Sequence, residues 1–386
     1  MVANSAIISI DHNENDLPFP LRPLLFSPAA LWLTRALQCG GVERFLLLTT
    51  PDLSQTLAPC FPEGTQVCFL DDPDVANVVR TFAAQSQGEV ISVTQPVWLS
   101  FGGAELLTQL ERLPEPEEAP MGIYRQSAQS LAATGDLEGG TPFAPSMDDQ
   151  PLALPLTDAM SLNSAQYYAR MERVEQLMLQ GVQILDPQSV YIDPAVTVGA
   201  GTMLLPNVIL RGNTHIGEGC EIGPNAMIRD CVLGDGCVAN SSQLNEAIFG
   251  NNVTIGPFAY VRPGTVVADD CKVGDFVEVK NAVIGKGTKL PHLIYVGDSD
   301  VGERCNFGCG SITCNYDGKN KHRTTVGDDV FIGCNTNLVA PVTVESGAFT
   351  AAGSTITDTV PADNLAIARA RQVNRSGWQR PKKLEK

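Results

Sequence analysis

From Val198 onward, apolar residues recur six positions apart. They are Val198, Leu204, Leu210, Ile216, Ile222 and Ile228, then Val261, Val267, Val273 and Val279, then Val326, Ile332, Leu338 and Val344, with Ile356 two steps further on. A period of six matches neither an amphipathic helix, which repeats every 3.6 residues, nor a strand that alternates every two. With Gly, Asn and Asp clustered between the apolar positions, it describes short strands joined by turns, three strands to a coil. One side chain of each hexapeptide is stacked inward. The period alone does not set the hand of the coil, and the usual crossover preference is right-handed. The phase is interrupted around residues 239–252 and more sharply at 311–325. The second interruption, SITCNYDGKNKHRTT, is polar and basic, and is expected to project from the coils.

A chain of 386 residues exceeds one ordinary core, so a second domain is expected ahead of the repeats. Residues 1–113 alternate strand-like runs (6–10, 45–49, 67–70 and 89–94) with helix-like stretches (29–39, 74–84 and 104–113), which predicts a parallel α/β sheet. Residues 114–150 are rich in Pro, Glu, Gly and Ser and read as an extended or partly ordered loop. Residues 165–180 (AQYYARMERVEQLMLQ) read as a helix, with Met171, Val174, Leu177 and Met178 at helical spacing and Gly181 as its stop. The expected organisation is an α/β domain over 1–164, a linker helix over 165–180, and a β-helix over 181–386 ending in a basic tail.

Charge divides in the same place. Residues 1–160 contain six arginines, no lysine and twenty Asp or Glu, a balance of −14 in a chain whose net charge is −17. Basic residues gather late, at Arg369, Arg371, Arg375, Arg380, Lys382, Lys383 and Lys386. That pattern favours an anionic small molecule over nucleic acid, which would need a broader positive face. No run of about 18 apolar residues and no signal-like N-terminus is present, so a cytoplasmic protein without membrane insertion is expected. Eleven cysteines without a CxxC pair predict reduced, packed thiols rather than a metal module.

The segments GVQILDPQSVYID, VRPG, VGDFVEVKNAVIGKGTKLPHLIYVGD, SITCNYDGKNKHRTTVGDDVFIG and LVAPVTV closely resemble the bifunctional N-acetylglucosamine-1-phosphate uridyltransferase and glucosamine-1-phosphate N-acetyltransferase family. The match runs from Gly181 to Pro381. It implies a left-handed parallel β-helix and a homotrimer with each site between neighbouring copies. It also implies acetyl transfer from acetyl-CoA to an amino sugar phosphate, feeding UDP-N-acetylglucosamine and cell-wall precursor synthesis.

The N-terminal half resembles a shortened, degenerate version of the same family's nucleotidyltransferase domain. The family's opening loop, LxxGxGTRM, brings backbone amides and an arginine to a triphosphate. Here the stretch is AIISIDHNENDLP, with neither glycine nor arginine. Phe19 stands where the family has a lysine, and Thr94-Gln95 where it has a metal-binding Gly-Asp. Asn163 keeps the position of the second metal ligand, a remnant, so no metal site is assigned. The first lysine of the chain is Lys272. Such a domain lacks the electrostatics of phosphoryl transfer, and magnesium is expected only if it were active.

Acetyl transfer to an amine needs a base, cations for the sugar phosphate, a donor to the tetrahedral oxyanion and a groove for the coenzyme. Histidine is the side chain suited to proton removal near neutrality, and His292 matches the family's catalytic base. The resemblance implies sugar-phosphate contacts at Arg262, Lys280, Tyr295 and Asn306, where a planar fork and a mobile ammonium suit a dianion. Glu278 either orients a neighbour or forms a plain ion pair. For acetyl-CoA the resemblance implies Cys309, Asn315, Tyr316, Cys334, Ala352 and Arg369, with Lys321 reaching from the projecting loop. Cys309 departs from a family alanine and Cys334 from a serine, and both are small enough to leave a groove open. The tail through Arg371, Arg375 and Lys382 is either a coenzyme-phosphate contact or solvated. Two other readings remain: a bifunctional enzyme that also forms UDP-N-acetylglucosamine from UTP, and a non-catalytic sugar-nucleotide-binding regulator. A β-helix metal enzyme would need a histidine cluster, which His12, His215, His292 and His322 do not make.

Overall fold

The computed structural model describes residues 3–11, 17–111, 113, 121–144 and 151–379. Residue His12, most of the degenerate loop, residues 114–120 and 145–150, and the tail cations Arg380, Lys382, Lys383 and Lys386 lie outside them. The chain divides into two compact units, Met1–Asp230 and Cys231–Lys386. No helix among the described residues is long and apolar enough to cross a membrane.

The first unit opens with a six-stranded sheet in the order Gln66–Phe69, Arg44–Thr49, Ala3–Ser9, Glu89–Val93, Ile123–Ser127 and Thr141–Pro142. The first four strands are parallel and the last two antiparallel. Continuous apolar runs such as RFLLLT arise because both faces are covered. Ile8, Phe45, Leu47 and Ile91 pack with Leu33, Leu37 and Leu107 on one face. Ile7, Leu46, Leu48 and Val90 pack with Val79, Phe82 and Leu131 on the other.

The segment expected to be a loop contains the strand Ile123–Ser127, the helix Ala128–Thr134 and the strand Thr141–Pro142. Its polar composition conceals a buried ion pair. Arg125 lies in the sheet against Glu89 and donates to the Leu107 carbonyl at 2.9 Å, so a charged residue occupies a core position that composition reads as solvent.

The helix expected over 165–180 spans Ala159–Leu179, opened by a capping box between Asp158 and Ser161. Ala165 and Ala169 are fully buried and pack with Trp98, Leu154 and Trp32. Their small side chains carry the close approach. Met178, one of the residues expected on the buried face, is 49% exposed.

Coils begin within the same unit. Ile184, Leu204 and Ile222 stack in parallel register, as do Ile192, Leu210 and Ile228. In the second unit Val261, Val279 and Val296 stack, as do Val273 and Leu290, Val326 and Val344, and Leu338 and Ile356. The repeats form the expected parallel β-helix. Coils of 16 to 18 residues explain the apparent break near 239–252: Leu233 pairs with Phe249 and Ala239 with Ile255, so the coil is short and carries no protrusion. Corners are turned by residues at positive φ, many of them Asn or Asp, such as Asn207, Asn225, Asn252, Asp270, Asn281 and Asp298. Their short polar side chains tolerate that backbone and bond to the next coil, as in Asn207 to Asn225 at 3.1 Å and Asn281 to Asp298 at 2.6 Å.

The stacked interior predicts a sharp contrast within neighbouring strands. Leu290, with no exposed surface, should cost about 2–5 kcal/mol on Leu290→Ala. Val283, 47% exposed, should change stability by less than about 0.5 kcal/mol on Val283→Thr. Urea unfolding of both variants measures the difference, and equal losses would contradict an interior built from one side chain per hexapeptide.

Candidate functional site

All twelve positions expected to bind substrate or coenzyme, or to act as base, lie in the second unit. The strand Tyr260–Val261 pairs with Glu278–Ile284, which pairs with Tyr295–Val301. This register stacks Tyr260, Glu278 and Tyr295, and sets Lys280 beside Gly297. Arg262 donates its backbone N–H to the Val279 carbonyl at 2.8 Å, which brings it over Lys280. Its guanidinium donates to Glu278 at 2.8 Å and lies 5.8 Å from the Tyr260 ring centre. Glu278 thus forms an ion pair with Arg262, which is compatible with both readings of that carboxylate. Gly297 makes room for its neighbour: a Cβ there would run into the phenol of Tyr295, which folds across it and would have to move.

The Lys280 ammonium is 4.0 Å from the Asp298 carboxylate. Asp298 is buried and accepts from the side-chain amides of Asn281 and Asn315. Burial raises its pKa, but those two donors and the charges of Lys280 and Lys321 outweigh it and hold the carboxyl below the ordinary value. Lys321, and then burial, push Lys280 below the usual lysine range against the pull of Asp298. Lys280 and Lys321 thus converge on one buried carboxylate, with Arg262, paired to Glu278, close enough to act on Lys280. Lys321 and Asn315, expected with the coenzyme residues, lie beside Lys280 and Asp298.

His292 ends the strand Lys289–His292 and its side chain is half exposed. Its Nδ1 is 3.9 Å from Asp275, its register partner one coil earlier. Tyr295 begins the next strand after the corner at Leu293, whose φ is 53°. A positive φ is unusual for a bulky residue, and it is what separates His292 and Tyr295 by a single turn. Asn306 is half-buried, with register partners Lys289 and Phe331. Backbone bonds from Gly310 to Leu293, Asn335 to Cys309 and Gly353 to Cys334 run along the His292 corner. Cys309, Cys334 and Ala352 consequently follow His292 in succession, with exposed Arg369 against Gly353.

The projecting loop is smaller than expected. Ile312–Cys314 and Thr324–Val326 are coil strands, leaving a hairpin over 315–323 closed by a bridge between Tyr316 and Lys321. Asp317 fixes its tip, accepting from the Lys319 and Asn320 amides at 2.8 and 2.6 Å and meeting His322 at 2.8 Å. Tyr316 is 61% exposed. Arg323 grips Asp300 at 2.8 Å at the base. All eleven cysteines are free, seven of them buried; Cys334 is exposed and Cys309 partly so.

Sequence reasoning missed Asp275, Asp298 and Asn281. Their signal was spacing: Asp275 precedes His292, Asn281 precedes Asp298 and Asp298 precedes Asn315 by 17 residues each, one coil.

In the first unit, the carboxyl ends of Ala3–Ser9 and Glu89–Val93 border a cavity of about 330 Å³ lined by Asp11, Phe19, Thr94 and Gln95 among others, without a lysine or arginine among the described residues. Phe19 is buried with Leu24, Trp32 and Trp98, where a lysine would have faced a phosphate. Thr94 donates to Glu138 at 2.9 Å, and Asn163 is exposed on the Ala159–Leu179 helix. This donor set does not fit a magnesium-bound triphosphate, which calls for carboxylates on the metal and cations on the phosphates.

The family described as GMPPB C-terminal domain matches residues 187–286. The chain is similar to curated relatives named Bifunctional protein GlmU. It is 48% identical to that of Geobacillus sp. (strain WCH70) over 235 residues, covering 61% of this chain and 50% of the relative. It is 53% identical to that of Caldanaerobacter subterraneus subsp. tengcongensis over 219 residues, covering 57% and 48%. The chain thus spans about half the length of the curated relatives it matches. Among solved structures, an Arabidopsis UDP-N-acetylglucosamine acyltransferase aligns with a TM-score of 0.31 at 15% identity, over 49% of this chain and 70% of that one.

The Asp298 cluster predicts a pH-dependent stability difference. Asp298→Asn should lower unfolding stability at neutral pH by about 1–3 kcal/mol, the worth of hydrogen bonds to a charged group. A depressed folded pKa contributes stability that is present above the unfolded value near 3.9 and lost as pH falls through the folded value. The gap between variant and wild type should therefore persist at pH 5 and narrow only below about pH 4. Urea unfolding across that range would refute the cluster if the two proteins were equally stable at pH 7.

Proposed function

We propose that the second unit is an acetyl-CoA-dependent N-acetyltransferase acting on glucosamine-1-phosphate, serving UDP-N-acetylglucosamine and cell-wall precursor synthesis. The observation that carries this reading is the convergence of Arg262, Lys280 and Lys321 within one register step of the Tyr295 phenol, with His292 one corner away. Cations placed this way suit a sugar phosphate dianion. The likeness to relatives named GlmU supports the same reading.

In this mechanism the sugar phosphate lies against Arg262 and Lys280, with Tyr295 and Asn306 offering neutral hydrogen bonds to the sugar. Asp298 keeps Lys280 charged and in place, while Glu278 aims Arg262. The ammonium of the substrate loses a proton to solvent, and the free amine attacks the thioester carbonyl as His292 takes the second proton. The new C–N bond forms, the tetrahedral oxyanion collapses, and the C–S bond breaks. The coenzyme thiolate leaves and receives a proton from the His292 imidazolium. Asp275, 3.9 Å from Nδ1, lies on the far side of the ring and orients it. The coenzyme lies along Cys309, Cys334, Ala352 and Arg369, with Tyr316 on the hairpin. We assign the active assembly to a homotrimer, in which a neighbouring copy covers the hairpin. Uridyl transfer is not part of this reading, because no lysine or arginine lines the first unit's cavity among the described residues.

Release of free thiol from acetyl-CoA, measured with a panel of amino sugar phosphates, tests the assignment. Glucosamine-1-phosphate should be the preferred acceptor, and no acceptor-dependent release across the panel would reject it. His292→Ala should lower kcat by roughly 10²–10⁴-fold with little change in KM. Arg262→Ala should instead raise KM for the sugar phosphate more than it lowers kcat, since the phosphate is bound alike in ground and transition states. Gly297→Ala should leave the fold intact yet lower turnover, because the displaced group is the movable Tyr295 side chain. A folded His292→Ala protein of near wild-type rate would remove the mechanism.

A further inference from the structure

Within the first unit, a cavity of about 490 Å³ opens between the helix Ala29–Cys39, the Ala159–Leu179 helix and the coil segment Pro194–Val198. Two arginines line it. Arg173 is only 8% exposed, with its Nη groups donating to the Val196 carbonyl and to Gln176 at 3.1 Å, and its Nε is buried without a partner. The Arg35 Nε is likewise buried and unpartnered, and its Nη1 reaches only Gln38 at 3.5 Å. Neither forms an ion pair among the described residues. That is unexpected where the first 160 residues carry twenty carboxylates, because a buried guanidinium without an anion is costly. The volume is that of a small-molecule site, and Phe101, Leu179 and Val198 give it apolar walls.

We propose that this cavity binds a small organic phosphate monoester, its phosphate gripped by Arg35 and Arg173 and its body against the apolar wall. Two guanidinium forks match a phosphate dianion, and the size leaves room for a sugar or nucleoside behind it. The site is separate from the acetyl-transfer site and from the cation-free cavity at the strand ends.

Cys39 reports on occupancy. It reaches the surface while lining the cavity. Burial raises its thiol pKa, and the Arg173 and Arg35 charges oppose that rise. A bound anion would both cover the thiol and cancel the opposing charges, so alkylation should slow on two counts. The full chain is labelled with iodoacetamide and mapped by peptide mass, with an added cysteine-containing peptide as the internal reference, in AMP, glucose 6-phosphate, inorganic phosphate or citrate. At about four times Kd, AMP or glucose 6-phosphate should slow Cys39 labelling at least roughly fivefold by mass action, leaving the reference peptide unchanged. Inorganic phosphate should protect more weakly. Arg35→Gln, a partly exposed position, should abolish protection without unfolding the chain, and Arg173→Met should do the same where it folds. Unchanged Cys39 labelling in every phosphate, equal protection in Arg35→Gln, or protection by citrate equal to that by the monoesters would overturn the proposal. None of these outcomes depends on acetyl transfer.

Discussion

The interior ladder of aliphatic side chains sets everything else in the repeat region. Because Val261, Val279 and Val296 stack face to face, their neighbours in sequence are stacked too, at the same height and on the outer surface. Arg262 over Lys280 and His292 over Asp275 are consequences of that ladder rather than independent placements. A hydrophobic repeat thus fixes polar chemistry to within one coil spacing, and burial of each aliphatic residue, at roughly 1.5–3 kcal/mol, holds the charged residues together against their own repulsion.

What was legible in the sequence follows the same logic. The six-residue period gave the coils, and the apolar runs gave the four parallel strands, because both signals come from burial of side chains that stay buried in any context. Arg125 defeated the reading of the adjoining segment, since a buried ion pair looks like surface in composition. The charged cluster was half legible. Resemblance supplied Arg262, Lys280 and His292, but Asp298 and Asp275 emerge only when residues one coil apart are compared, and coil length varies. Resemblance put Lys321 with the coenzyme residues, and its proximity to Lys280 becomes visible only once the hairpin closed by the Tyr316–Lys321 bridge is in place.

The two units answer the same electrostatic problem differently. In the second, cations are packed around Asp298, which neutralises part of their repulsion and leaves the remainder for an anion. In the first, no lysine or arginine lines the strand-end cavity among the described residues, and Phe19 beside it is buried with Trp32 and Trp98, which stabilises the unit through apolar burial.

The hairpin over 315–323 is an excursion from a coil whose strands keep their register, with Asn306 opposite Phe331 and Ser299 opposite Thr324. Adding or deleting a single residue inside a neighbouring strand would turn every following side chain to the opposite face, whereas lengthening the hairpin disturbs only its own tip. The scaffold therefore separates two kinds of hereditary change. Strand lengths are frozen by the ladder, while the segment nearest the cation cluster is free to vary in length among descendants of this chain without any renegotiation of its core.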